Sequence, residues 1–257
     1  MKVHVLVDNH ASRDFSAEWG LSFFIEGSKN LLLDFGSSDL FLKNAKKLGI
    51  DISSVDTIVL SHGHWDHGSG LKYLSNKRLI CHPEAFNRRY RKNGECNGLP
   101  FDIKEAKEKF ELVLSREPYM IDENIIFLGQ IPRVMEFEAK SSTSFKEDGS
   151  MDFIMDDSAI VYKTEKGLVI ISGCAHSGIC NIIEYAKQVS GVNNIYAVLG
   201  GFHLKENNEI TEKTIEYLKK LNIKMISGGH CTGFEALVQF YNILNSKPFT
   251  SGAIIKL

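Results

Sequence analysis

Four candidate metal ligands fall within six residues, in the stretch Leu60-Ser61-His62-Gly63-His64-Trp65-Asp66-His67-Gly68-Ser69-Gly70. With nine His in 257 residues, an H-x-H-x-D-H pattern would arise by chance on the order of once in a thousand such chains. Imidazole and carboxylate are ligands for divalent cations. The stretch follows Thr57-Ile58-Val59-Leu60, which reads as a buried strand. In a loop leaving a strand, His62 and His64 at i, i+2 can turn to one side around one ion. Asp66 and His67, one turn farther on, can face a second ion a few ångströms away. Gly63, Gly68 and Gly70 give the backbone room for such a wrap. The competing reading is a His-rich surface loop, in which these groups would repel one another without an ion.

Four residues do not close a two-metal site, and three further segments offer more ligands at strand ends. Leu168-Val169-Ile170-Ile171-Ser172-Gly173-Cys174-Ala175-His176, Val198-Leu199-Gly200-Gly201-Phe202-His203 and Lys224-Met225-Ile226-Ser227-Gly228-Gly229-His230 each run from an apolar strand through small residues to a His. Three repeats of one pattern imply strand ends converging on a pocket, as ligand sites do in layered α/β folds. His203 is placed beside the ligands or against substrate, with a loop-capping role as the alternative. Cys174 is open between a metal bridge, a weak hydrogen-bond donor and a small buried apolar group. Asp34 is expected to orient the metal loop from behind. Glu18 is a candidate for substrate contact or for the same supporting shell. Asp156 and Asp157 either face the pocket or form an Asx turn.

The elements that must carry these residues alternate between strand and helix patterns. Val3 to Val7, Leu21 to Glu26 and Asn30 to Asp34 read as an antiparallel meander, the last two joined through Gly27-Ser28-Lys29. Ser38 is expected to cap a helix through Leu40, Phe41, Ala45 and Leu48 that Gly49 ends. Leu79 to Cys81 reads as a strand, and Lys104 to Leu114 as an amphipathic helix or a strand pair. In the second half, strands are expected at Ala159 to Tyr162, Leu168 to Ser172, Ile195 to Leu199, Lys224 to Ile226 and Ala253 to Lys256. Helices are expected at Ile179 to Ser190, at Thr211 to Leu221 with Thr211 as its cap, and at Phe234 to Leu244. This rhythm gives two mixed sheets with helices outside.

Composition sets the outer limits. With 30 Lys+Arg against 32 Asp+Glu and a net charge of −2, a broad electrostatic grip on nucleic acid or anionic lipid is not expected. The local basic run Arg88, Arg89, Arg91 and Lys92 reads as a solvated helix face. No apolar run approaches the roughly 18 residues of a membrane span, and a carboxylate at Asp8 comes too early for a signal-peptide core. A cytoplasmic location is therefore expected. Five Cys at positions 81, 96, 174, 180 and 231 include no C-x-x-C pair and do not form a disulfide framework. No Pro/Gly/Ser-rich linker divides the chain, so residues 1–257 are expected to form one domain.

The H-x-H-x-D-H motif after a strand resembles the metallo-β-lactamase fold superfamily. The similarity narrows to its dihydropterin synthase-like branch through Asp8-Asn9, Ala17-Glu18-Trp19-Gly20-Leu21-Ser22, Leu33-Asp34-Phe35-Gly36, Gly-Cys-Ala-His at 173–176, Gly-Gly-Phe-His-Leu at 200–204 and Gly-His-Cys-Thr-Gly at 229–233. The resemblance implies a four-layer αβ/βα sandwich, two mixed sheets with helices outside. It also implies a dinuclear centre with His62, His64 and His176 around one divalent ion and Asp66, His67 and His230 around the other. Zn is the default metal, with Mn or Fe as alternatives. Two positions depart from the pattern. Cys174 stands where many superfamily hydrolases carry the Asp that bridges the metals, which makes its thiolate the candidate replacement, and Trp19 follows Glu18 where relatives of this branch carry His.

Two functions follow as expectations. The first is a metal-dependent hydrolase in which a dinuclear centre activates water against an ester, phosphoester or lactone-type small molecule, with Asp66 orienting the water or carrying its proton. The alternative is a synthase-like transferase that condenses a dihydropterin with an aryl-ribosyl phosphate and releases pyrophosphate. A diiron reductase reading is disfavoured because His64 stands where that pattern resembles Glu. A pure binding module would need a filled coordination sphere, whereas the proposed ligands leave room for water.

Overall fold

The computed structural model describes residues 1–257. In chain order the strands are β1 (Lys2–Val7), β2 (Ser22–Glu26), β3 (Leu31–Leu33), β4 (Thr57–Val59), β5 (Lys77–Cys81), β6 (Tyr90–Arg91), β7 (Phe110–Leu114), β8 (Tyr119–Met120), β9 (Ile125–Phe127), β10 (Ser144–Phe145), β11 (Met151–Asp152), β12 (Ala159–Thr164), β13 (Gly167–Ser172), β14 (Ile195–Gly200), β15 (Met225–Gly228) and β16 (Ile254–Lys256). The helices are α1 (Leu40–Lys47), α2 (Trp65–Gly68), α3 (Ile103–Lys109), α4 (Ile179–Ser190), α5 (Glu209–Lys220) and α6 (Phe234–Leu244). They fall into two compact units, one of residues 1–116, 142–152 and 249–257, the other of residues 117–141 and 153–248. No helix is long and apolar enough to cross a membrane.

The first unit carries a seven-stranded sheet in the order β16-β1-β2-β3-β4-β5-β7. Its first four strands pair antiparallel, and the expected meander is present, while β3, β4, β5 and β7 run parallel. Parallel strands need a crossover, and α1 supplies the one between β3 and β4. Phe41 and Ala45 of α1 are buried in the same apolar cluster as Leu32, Ile58 and Leu79 of the sheet. At roughly 1.5–3 kcal/mol for each large apolar side chain withdrawn from water, such a cluster makes a stiff base for the loops above it. The expected cap at Ser38 is shifted by one residue: Asp39 holds the N-cap position without a side-chain bond, and the Ser38 hydroxyl accepts from Leu40 N at 3.1 Å. The ambiguous stretch from Lys104 to Leu114 divides into α3 and then β7, because Asp102 and Glu105 form a reciprocal capping box that starts a short helix.

This unit also holds a small antiparallel sheet, β11-β10-β6, beyond the two sheets expected. It corrects the reading of the basic run. Residues 88–92 form no helix: Tyr90 and Arg91 are strand β6, and Arg89 is 1% exposed and paired with Asp152 at 3.3 Å. A guanidinium withdrawn from water needs such a carboxylate partner, which alternating charge in the sequence does not reveal.

The second unit carries the six-stranded sheet β15-β14-β13-β12-β9-β8. The central strand Gly167–Ser172 is buried at every residue, as expected for a strand covered on both faces. β13, β14 and β15 are parallel neighbours, and β12 pairs antiparallel with β13. α4 runs over Ile179–Ser190 and α6 over Phe234–Leu244 as their periodicity indicates, and α5 begins two residues earlier than expected. Thr211 is not its cap; the Asn208 side chain accepts from Ile210 N and Thr211 N, both at 3.1 Å, and Thr211 is buried inside the first turn. Asn is the better cap because its short amide reaches back to the free backbone donors.

Candidate metal centre

In each unit the sequence-predicted ligands stand just past the carboxyl ends of parallel strands, the edge where α/β sheets gather their ligand sites. β3 and β4 are paired with Leu33 opposite Val59, so Asp34, directly after β3, lies beside Ser61 and His62, just past β4. Asp34 has a positive φ of 58°, a conformation that Asp tolerates better than most residues and that re-aims its side chain toward the neighbouring loop.

The Asp34 carboxylate is the anchor of this loop. It accepts from Ser61 N at 2.8 Å and from Ser61 Oγ at 2.7 Å, and lies 2.6 Å from Nδ1 of His67. Asp34, Ser61, His62 and His67 are all fully buried. An ionised carboxylate only accepts, so His67 presents Nδ1–H to Asp34 and leaves the lone pair on Nε2. The Ser61 hydroxyl has a single proton, which goes to Asp34, so its oxygen accepts from Nδ1 of His62 at 2.9 Å. His62 is thereby also left with its lone pair on Nε2.

That Nε2 lies 2.9 Å from Nδ1 of His64. On the other side of the His64 ring, Nε2 is 3.2 Å from the Ser144 hydroxyl, which accepts from the Asn97 amide at 2.6 Å. The Asn97 amide nitrogen, which only donates, also lies 3.5 Å from this Nε2, so without an ion Nδ1–H of His64 can hydrogen-bond to Nε2 of His62. A metal ion would instead take both facing lone pairs. Two nitrogens each roughly 2.0–2.1 Å from a tetrahedral ion would stand about 3.3 Å apart, so the donor set and its spacing fit a metal ion. The rings of His62 and His67 are 4.3 Å apart. His64 is the N-cap residue of α2, which carries Asp66, 7% exposed, and His67. Gly63 makes the wrap possible, since a Cβ there would meet the Ala85 carbonyl oxygen at 1.8 Å.

Glu18 is engaged in the same unit, at the turn after β3. Its carboxylate accepts from Ser37 N at 2.8 Å, from Ser38 N at 3.0 Å and from the Ser38 hydroxyl, so it fastens the turn between β3 and α1. Trp19, beside it, is exposed.

In the second unit, His176, His203 and His230 follow β13, β14 and β15, three adjacent parallel strands, so the repeated strand-to-His pattern corresponds to one sheet edge. The loops are tied to one another by Gly201 N to Gly173 O at 2.8 Å, Gly229 N to Gly200 O at 3.3 Å and Phe202 N to the Thr232 hydroxyl at 3.0 Å. His203 and His230 have φ of 49° and 51°, and Ala175, next to His176, has 54°. Left-handed backbone at non-glycine residues costs on the order of 1–2 kcal/mol each and gathers at functional sites. The rings of His176 and His203 are 4.3 Å apart, His230 is 7% exposed and Cys174 is 3% exposed.

Cys231, a less expected ligand than Cys174, is brought close to Cys174 and His203. His203 N donates to its sulfur at 3.3 Å, and the thiol reaches the Cys174 carbonyl at 3.5 Å. Burial acts to raise the Cys231 thiol, but the Cys174 thiol and the His203 and His230 rings together hold it well below the usual range. The Cys-Thr pair after His230 was the available signal. Asp157, left open between pocket and turn, accepts from Ser177 N at 2.9 Å and from the Ser177 hydroxyl and fastens the loop after His176. Burial pushes its carboxyl up to about 6.

Comparison with known proteins gives a consistent picture. Residues 20–82 match the model of the metallo-beta-lactamase superfamily. The chain is 37% identical to an uncharacterized protein of Methanocaldococcus jannaschii, MJ0448, with 95% of each chain covered. It is also 37% identical to the 7,8-dihydropterin-6-methyl-4-(beta-D-ribofuranosyl)-aminobenzene-5'-phosphate synthase of the same organism, over 92% of this chain and 89% of that one. Among solved structures, Tm1679, described as a metal-dependent hydrolase of the beta-lactamase superfamily, is 31% identical, with a TM-score of 0.89, and the match covers 100% of this chain and 99% of that one.

Proposed function

The chain belongs to the metallo-β-lactamase superfamily, in the branch of the M. jannaschii synthase, and on that premise we propose that it is a metal-dependent hydrolase of a small ester, phosphoester or lactone-type molecule. In this reading His62, His64 and His176 hold one divalent ion and Asp66, His67 and His230 a second, with Zn as the default. The observation that carries it is the Asp34 anchor, which leaves the lone pairs of the buried His62 and His67 on Nε2, where each can meet an ion. The likeness to a solved metal-dependent hydrolase over the whole chain supports the same choice.

When bound, divalent ions at such ligands lower the pKa of water toward neutrality and stabilise developing negative charge on substrate oxygen. The chain's own residues do the remaining work. Asp34 and Ser61 fix the tautomers of His67 and His62. Ser144 and Asn97 hold the far side of the His64 ring. Asp66 orients the attacking group or carries its proton.

A second reading is favoured by one specific observation, the 37% identity to the synthase over 92% of the chain. There the same ligands would serve a transferase joining a dihydropterin to an aryl-ribosyl phosphate. The two readings separate in one assay. Metal-loaded protein is incubated in ¹⁸O-labelled water with phosphodiesters, esters and lactones singly, and with the pterin and aryl-ribosyl phosphate pair. Turnover of a single substrate with ¹⁸O in the product is the result expected. Product formed only from the pair, without ¹⁸O, would replace the hydrolase with the transferase.

A further inference from the structure

We propose that Cys174, His203 and Cys231 form a thiolate–imidazole site for one thiophilic divalent cation of the Zn²⁺ class, lying wholly within the second unit. One ligand atom from each of the three lies within 4.8 Å of the others. Ligand atoms around a tetrahedral zinc, at roughly 2.3 Å for sulfur and 2.0–2.1 Å for nitrogen, are separated by about 3.3–3.8 Å. The three therefore need to close by about an ångström or less to share an ion.

Each member comes from a different post-strand loop, and the backbone is specialised to bring them together. Cys174 follows β13, His203 follows β14 and Cys231 follows β15. His203 is held in the left-handed region, at φ 49°, and its Nδ1 is buried without a hydrogen-bond partner. A buried ring nitrogen left in that state costs free energy that a ligand bond would recover. Gly201 supplies the clearance, because a Cβ there would stand 2.5 Å from the Cys231 sulfur.

The ligand set sorts metals by softness. Two thiolates and an imidazole favour Zn²⁺, and Cd²⁺ or Co²⁺ as probes, over Mg²⁺ or Mn²⁺. Binding holds both sulfurs as thiolates, any remaining thiol proton passing to solvent, leaves the oxidation states unchanged and keeps a fourth tetrahedral position. In this arrangement Cys174 serves the ion at Cys231 and does not stand in for a bridging carboxylate. The site uses none of the six His and Asp ligands proposed above, but the Cys174 sulfur also lies within 4.8 Å of ligand atoms of His176 and His230, so the variants below are chosen to separate it from that centre.

The test loads the full chain with Co²⁺ and reads the near-ultraviolet thiolate-to-cobalt charge-transfer band, with zinc X-ray absorption counting sulfur at about 2.3 Å. The band is expected in the wild type, at about half strength in Cys174→Ser and in Cys231→Ser, and absent from the double variant. It is expected to survive His62→Ala/His64→Ala, and His203→Ala should weaken cobalt binding at the band at least tenfold. A wild type without a thiolate band or zinc-bound sulfur overturns the proposal, whatever the variants do. So does a band that Cys231→Ser leaves at full strength, or one that the His62→Ala/His64→Ala variant abolishes, since the thiolate would then belong to the histidine centre.

Discussion

The carboxylate of Asp34 lies 2.6 Å from Nδ1 of His67, and both residues are fully buried. Through Ser61 the same carboxylate also decides which nitrogen of His62 keeps its proton. A single residue at the end of β3 therefore sets the tautomers of two proposed ligands on a neighbouring loop.

Replacing Asp34 should weaken metal binding without removing a ligand. Partners behind a metal-bound imidazole are typically worth about 10–100-fold in affinity. Asp34→Asn is expected to fall in that range in a chelator-competition titration. An affinity within twofold of wild type would mean that the tautomers are not held by Asp34.

Ser144 and Asn97 should act as one support for His64, since the Asn97 amide donates to the hydroxyl that faces the ring. Each of Ser144→Ala and Asn97→Ala is expected to weaken metal binding, and the double variant to lose less than the two losses combined. A double-mutant cycle on metal affinity checks this. Additive losses would show that the two side chains act separately.

Glu18 should matter for stability more than for the metal. Its carboxylate takes two backbone donors from the turn at Ser37 and Ser38, and truncation to Ala leaves both to solvent or unpaired, a loss of about 1–3 kcal/mol. Urea denaturation should register that loss while metal content per folded chain stays unchanged. Metal loss in Glu18→Ala with intact stability would assign Glu18 to the metal instead.

The pH dependence of stability offers a separate check through Glu138. Its two carboxylate oxygens accept from Cys180 N and Asn181 N at 2.9 Å each, at the start of α4. Burial outweighs these bonds and raises its pKa above the ordinary 4.5. The folded state then binds the proton more tightly than the unfolded state, so this group's contribution is full below about 4.5 and declines as pH rises through the raised value. The stability of wild type relative to Glu138→Gln, which does not titrate, should therefore shrink as pH rises above 4.5. Denaturation curves across that range check the sign, and a widening gap would contradict it.

Much of this was legible in the sequence because strand and ligand signals coincide there. The His62–His67 cluster and the strand-to-His repeats mark two sheet edges, since an apolar run that ends in small residues and a His has few other uses. The cap of α5 was misplaced because Thr211 and Asn208 both satisfy capping chemistry, and only the backbone shows which one lies outside the first turn. The burial of Arg89 depends on Asp152, 63 residues away in sequence, a pairing that no local pattern encodes. Cys231 carries no local signal of its partners for the same reason. Its neighbours Cys174 and His203 lie on other loops, and only the parallel order of β13, β14 and β15 brings the three together.

The most direct test of the metal centre is the metal content per chain of protein purified without chelator, read by elemental mass spectrometry beside His64→Ala and His230→Ala. At least two ions per wild-type chain, with one or more lost in each variant, is the result expected. A wild type that stays metal-free after divalent ions are restored, or a content that both variants leave unchanged, would contradict the ligand assignment and the hydrolytic reading built on it.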